Sequence, residues 1–97
     1  MKKVSIYQIQ STRECPYSFM SWDYAKDKFN MEDYRKVAEY EVPSEDDQKI
    51  LDTVWNEGNN GELQCRFPGM YSVSMSNIIE IDDHKYYVDS FGFKEVE

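Results

Sequence analysis

The sequence predicts a single small α+β domain. An antiparallel sheet, made of an N-terminal strand and a C-terminal three-stranded meander, carries two helices packed on one face. Three observations predict it. Residues 3–10 alternate in the manner of a strand, Ser44-Glu45-Asp46-Asp47 opens a helix, and residues 78–96 hold three short strand runs separated by turns. At 97 residues the chain fits one domain, 1–97. Domains of this size bury roughly two thirds of their unfolded surface, enough for a real core.

In the first strand Val4 and Ile6 share one face and Tyr7 and Ile9 the other. Apolar residues on both sides predict a strand covered on both faces. The polar stretch 11–16 ends in Pro16, which favours extended backbone at Cys15. Trp22, Ala25 and Phe29 follow helical spacing behind Ser21 as cap, predicting a short helix over 21–29. Residues 35–42 fit either state. Their β-branched and aromatic end, with Pro43 beyond, favours a strand over a helix.

The strongest start signal follows. Ser44 is placed to cap, Asp47 sits three residues on, and three acids gather at the positive end of the helix dipole. Ile50, Leu51, Val54 and Trp55 form one apolar stripe and Gly58 supplies a left-handed stop, so a helix is predicted over 45–57. Residues 59–69 read as a loop ordered by a buried Phe67, and 72–77 as a turn or one helical turn. Strands at 78–81, 85–89 and 93–96 complete the meander, and Trp22 and Trp55 are expected to pack on the same face of the sheet.

Charge narrows the function. The net is -8, from 11 basic and 19 acidic residues, which argues against wrapping nucleic acid or lying on anionic lipid. It is unevenly spread: residues 1–38 carry a net of +2, whereas 39–57 carry -6. The acids around the second helix form either a solvated face or a surface that attracts basic proteins. Such steering reaches about 8–10 Å in physiological salt. Eight tyrosines point mainly to core filling. Because Tyr86 and Tyr87 are neighbours on a strand they face opposite ways, and one of them is expected on display.

Chemistry is sparse. The glycines at 58, 61, 69 and 92 never form a phosphate-binding loop. Asp82-Asp83-His84 with Asp89 is the nearest approach to a metal cluster, and it reads as a plain turn. Cys15 and Cys65 read as reduced structural cysteines, and no local sequence supports either with His84 as a catalytic pair. No catalytic residue, metal or cofactor is expected. Lys2 and Lys3 are not followed by the ~7–15 apolar residues of a signal peptide. No run reaches the ~18 a membrane span needs. A soluble, cytoplasmic protein is therefore expected.

The run from Ser72 to Ile81, and Lys85-Tyr86-Tyr87-Val88-Asp89-Ser90-Phe91-Gly92-Phe93-Lys94-Glu95-Val96 after it, resemble the YodL-like family of small bacterial domains. That family shows a serine-rich turn, a short apolar strand and an ending of this kind. Val4-Ser5-Ile6-Tyr7-Gln8-Ile9 and Phe19-Met20-Ser21-Trp22-Asp23-Tyr24 resemble its opening in mobile-element copies. The resemblance implies an α+β module of Firmicute genomes, phages and conjugative elements. It implies no known activity and transfers no catalytic residue. A tighter glycine turn is expected where Asp82-Asp83-His84 stands, so a longer hairpin is expected here.

Together these readings favour a non-enzymatic protein that binds and blocks a host protein, of the anti-restriction or anti-CRISPR kind. A basic nuclease that binds nucleic acid is one candidate partner. The expected contact surface is the acidic face of Glu45, Asp46, Asp52 and Glu57, with Tyr86 from the meander. The alternatives are a structural or assembly module, and a sponge for a nucleotide signal. The sponge would draw phosphate-binding charge from Lys2, Lys3, Arg13, Lys26, Lys28, Arg35 or Lys36.

Overall fold

The computed structural model describes residues 1–96 and shows the α+β domain. Five strands, β1 (Lys2–Ile9), β2 (Tyr34–Val42), β3 (Ile78–Ile81), β4 (His84–Val88) and β5 (Phe93–Glu95), form one sheet in the order β2-β1-β3-β4-β5. Every neighbouring pair is antiparallel. The helices are α1 (Trp22–Ala25), α2 (Asp47–Asn59) and α3 (Glu62–Arg66), with a 3-10 turn at Met31–Asp33. The preference for a strand over 35–42 holds. This strand pairs with β1 along its whole length and bulges once, because Ile6 faces Ala38 while Tyr7 faces Lys36, leaving Val37 extra.

Register and alternation sort the core into two layers. Val4 pairs with Ile81 and Ile6 with Ile79, so these four share a face, and on it Ile50, Leu51 and Val54 of α2 and Leu63 of α3 are packed. Tyr7 pairs with Ile78 and Ile9 with Tyr34 on the opposite face, where Tyr17, Ala25 and Tyr87 complete a second, aromatic cluster. Two helices do cover one face, but they are α2 and α3. The Trp22 segment covers the other: Trp22 meets Tyr87 with ring centroids 5.0 Å apart and Phe29 at 5.4 Å.

Trp55 departs further from expectation, standing 42% exposed. At about 100° per residue it lies about 40° past Leu51, at the edge of the stripe, whereas Gly58 falls in the stripe's centre. Gly58 is buried and still helical. Its expected role as a stop gives way to close approach: a Cβ there would lie 2.2 Å from Val73 Cγ2. The helix begins later than predicted because Asp46, rather than Ser44, is the cap, its carboxylate accepting the Gln48 amide at 3.0 Å.

The helix predicted over 21–29 stops at Ala25, where the carbonyl accepts the amides of both Lys28 and Phe29 at 2.8 Å and tightens the chain. The predicted loop 59–69 contains α3 instead. Gly61 precedes it at φ +94, a conformation that lets the chain turn sharply out of α2. Phe67 is half-buried against Tyr40, and the following segment is tied to β1 by Gln8, whose fully buried amide bonds the Tyr71 carbonyl and amide and Asn77. The β3–β4 hairpin is not lengthened: Ile81 pairs with His84, leaving a two-residue turn in which Asp82 takes φ 52. Asp82 suits this left-handed position because its amide donates to the Lys3 carbonyl at 2.9 Å while its carboxylate accepts the Lys3 amide at 3.1 Å.

Candidate functional site

The four acids expected on one face are separated by the fold. Glu45 precedes α2 and pairs with the N-terminal ammonium of Met1, and Asp46 is occupied as the helix cap. Asp52 and Glu57 are five residues apart on the helix, hence about 140° around its axis. They border different clefts. Asp52 lies on the β5 side with Trp55, while Glu57 lies on the β2 side beside Tyr40, Lys49 and Arg66.

Tyr86 is not a displayed tyrosine. It is half-buried on the α2 face and donates its hydroxyl to Asp47 Oδ2 at 2.8 Å, while Lys2 Nζ meets Asp47 Oδ1 at 2.8 Å. This triad fastens the start of α2 to β1 and β4. The Lys2 ammonium holds the Asp47 carboxyl below its usual range, and burial together with Asp47 pushes the Tyr86 phenol up to about 12. Both groups therefore serve the fold at neutral pH. Tyr87, its neighbour, is fully buried on the opposite face.

The aromatic side chains on display are others. Phe91 caps the β4–β5 turn at 97% exposure, where Asp89 donates its amide to the Gly92 carbonyl at 2.9 Å. Below it, Trp55 and Asp52 from α2 and Val88, Asp89, Gly92 and Phe93 line a cleft of about 220 Å³. Asp89 is held firmly: its Oδ1 accepts the amides of Trp22 at 3.0 Å and Ser90 at 2.8 Å. Among the described residues Asp52 accepts only Gln48 Nε2, at 3.3 Å. Neither carboxylate forms an ion pair among the described residues, in contrast to Glu39, Glu45, Asp47 and Glu80, each of which meets a cation, and to Glu95, which meets His84. Sequence reasoning found Asp52 and missed Trp55, Phe91 and Asp89. The turn sequence around Phe91 was the available signal, because an aromatic between Ser90 and Gly92 has no strand position to bury it.

Two further clefts flank the domain. One, about 590 Å³, runs between β2 and α2 past Tyr40, Lys49, Glu57 and Arg66, with the Arg66 guanidinium 4.9 Å from the Tyr40 ring centre. The other, about 410 Å³, lies beside Cys15 with Glu14, Glu32 and Asp33 on its rim. Cys15 is half-buried, Cys65 is exposed, and both are free thiols. Asp82 and Asp83 lie in the hairpin turn, whereas His84 turns to Glu95, with Nδ1 2.7 Å from Oε2. Among the described residues there is no group of three or more His, Cys, Asp and Glu side chains placed to hold a metal ion. Nor is any helix among them long and apolar enough to cross a membrane.

Compared with known proteins, residues 3–97 match the family model of the YodL-like domain. No curated protein and no solved structure matches the chain.

Proposed function

This chain belongs to the YodL-like domain family, and from that premise we propose that it is a non-enzymatic protein of a phage or mobile element that blocks a host protein by contact. Its target is a defence or nucleic-acid-processing protein of the bacterial cytoplasm, with a basic surface. The observation that carries this reading is Trp55, 42% exposed on a molecule of net charge -8 and bordered by Asp52 and Asp89, neither of which is neutralised by a nearby cation among the described residues. A tryptophan held open in a polar rim is the composition of an interface anchor. Unpaired acids beside it favour encounter with surfaces that themselves bind nucleic acid, and repel nucleic acid.

The test places the chain in a bacterial host equipped with a restriction or CRISPR nuclease and measures plating of a targeted phage. Protection is expected, together with a stoichiometric complex of the purified nuclease and this chain that weakens as salt rises. Asp52→Lys combined with Trp55→Ala is expected to abolish both while leaving the circular dichroism spectrum unchanged. Protection that persists without a complex overturns blocking by contact. Calorimetric heat with a nucleotide signal, and none with the nuclease, points instead to the sponge.

A further inference from the structure

We infer that the cleft beside Trp55 is a pocket for a single arginine side chain of the partner. The inference deepens the reading above and rests on it for the partner's existence, while the chemistry of the pocket stands on the cleft itself. Three other aromatics of this chain carry a cation of their own, although among the described residues the exposed Phe19 and Phe91 do not. Lys28 Nζ lies 4.3 Å from the Tyr24 ring centre, and Arg66 lies 4.9 Å from that of Tyr40 and 5.2 Å from that of Phe67. Trp55 has the side chain that attracts cations best, yet no Lys or Arg lines its cleft. Two carboxylates lacking ion-pair partners among the described residues, Asp52 and Asp89, line the same space. The apolar wall of Val88 and Phe93 suits the methylene stem of a long cationic side chain.

Size and charge select the occupant. At about 220 Å³ the cleft falls below the ~300–1,000 Å³ of small-molecule pockets. It suits one side chain. A nucleotide base could stack on the indole, but its phosphates would meet Asp52 and Asp89. Arginine is favoured over lysine because its planar guanidinium stacks on an aromatic face while its fork of donors meets a carboxylate. Asp89 is already fixed by two backbone amides, so it presents a preorganised acceptor.

The experiment uses the full chain, isotopically labelled, titrated to millimolar concentration with the peptide acetyl-Gly-Arg-Gly-amide. Matched peptides carry lysine, citrulline or leucine at the centre. The arginine peptide is expected to move the Trp55 indole N–H signal and the amides of residues 52 and 89–93, leaving the amides of α3 unmoved as an internal control. Binding is expected to be about three- to tenfold tighter than for citrulline, which keeps the shape and loses the charge. Asp52→Asn and Trp55→Leu are each expected to weaken it by about the same factor, the second preserving apolar bulk. Equal binding of the leucine peptide would make the cleft an apolar anchor site and overturn the inference, as would shifts confined to other surfaces or no shift at all. Arginine selectivity without host protection sinks the proposed function alone. Protection without arginine selectivity sinks this inference alone.

Discussion

The two faces of the sheet solve the same burial problem in different ways. On one, α2 and α3 lay Ile50, Leu51, Val54 and Leu63 over Val4, Ile6, Ile79 and Ile81, an aliphatic layer held by shape. On the other, four residues of helix and one 3-10 turn suffice, and the layer is aromatic: Tyr17, Tyr34 and Tyr87 are buried with Trp22 and Phe29 packed against them. Each of the three buried phenols ends on a hydrogen bond to a segment outside the sheet and the α-helices. Tyr17 donates to Asp33 at 2.6 Å, Tyr34 to the Ser76 carbonyl at 2.6 Å, and Tyr87 to the Met20 carbonyl at 2.7 Å. Where regular structure satisfies the backbone, the core needs only volume. Where it does not, the side chains that fill the core also fasten the loops.

The largest expected effect tests the claim that the interior of the aliphatic face is limited by shape. Gly58→Ala replaces a poor helix former with the best one, which in isolation favours α2 by about 1 kcal/mol. Here the new methyl would sit 2.2 Å from Val73 Cγ2 and 2.9 Å from Val73 Cβ, a branched side chain with little freedom to turn away. A contact this short belongs at the upper end of the about 1–3 kcal/mol that overpacking costs, so a net loss of about 2 kcal/mol is expected in urea denaturation despite the better propensity. Adding Val73→Ala should recover part of the loss, because the two residues share one space. A Gly58→Ala protein as stable as the parent would mean that the 71–77 segment yields freely, and that this face is not shape-limited.

The aromatic face should fail more gently and more locally. Tyr34→Phe keeps the ring and removes one donor, leaving the Ser76 carbonyl without its phenol. A loss of about 1–2 kcal/mol is expected. Ser76 stands at φ 82 and Phe19 at φ 62, both left-handed conformations that non-glycine residues rarely hold. They are tied to one another through the Phe19 amide and Ser76 Oγ at 3.0 Å, and Ser76 is held further through its amide to Val88 at 2.9 Å. Hydrogen exchange is therefore expected to quicken at residues 18–20 and 76–77 in Tyr34→Phe while the amides of α2 stay protected. Uniform quickening across both faces would merge them into one cooperative layer and remove the distinction.

The same contrast explains what could be read in the sequence. The aliphatic face announces itself, since alternation marks β1, the acids at 45–47 mark the start of α2, and spaced turn residues mark the meander. Trp55 was misread as core there because a hydrophobic stripe gives weight to a large apolar residue at its edge and none to the glycine at its centre. The aromatic face carries no such period. Trp22, Ala25 and Phe29 fit a helix that the chain abandons after one turn, and Phe29 packs instead on Tyr34, ring centroids 5.7 Å apart. The candidate cleft was half legible. Asp52 follows from charge on a helix, but its meeting with Asp89 depends on where β4 ends, which no local pattern states. Tyr86 was misplaced for a similar reason: its partner Asp47 lies 39 residues away.

The smallest effect separates the interior of the aliphatic face from its rim. His84 lies at the start of β4, exposed, with Nδ1 2.7 Å from Glu95 Oε2 across the open end of the meander. The hydrogen bond to Glu95, and then its charge, raise the imidazole's pKa above the ordinary 6.5. A raised folded-state value means that the folded protein holds this proton more tightly than the unfolded chain. The contribution to stability is thus complete below pH 6.5 and disappears as pH rises through the folded value. The histidine ring signals should titrate with a midpoint above 6.5, and Glu95→Gln should return it towards that figure. The same substitution should leave the protection of α2 and the aromatic layer unmoved. If raising the pH through the histidine's titration instead loosened α2, the rim and the interior would be one unit. The link would run through Asp47, whose carboxylate lies close enough to His84 to help raise its pKa while also binding Lys2 and Tyr86.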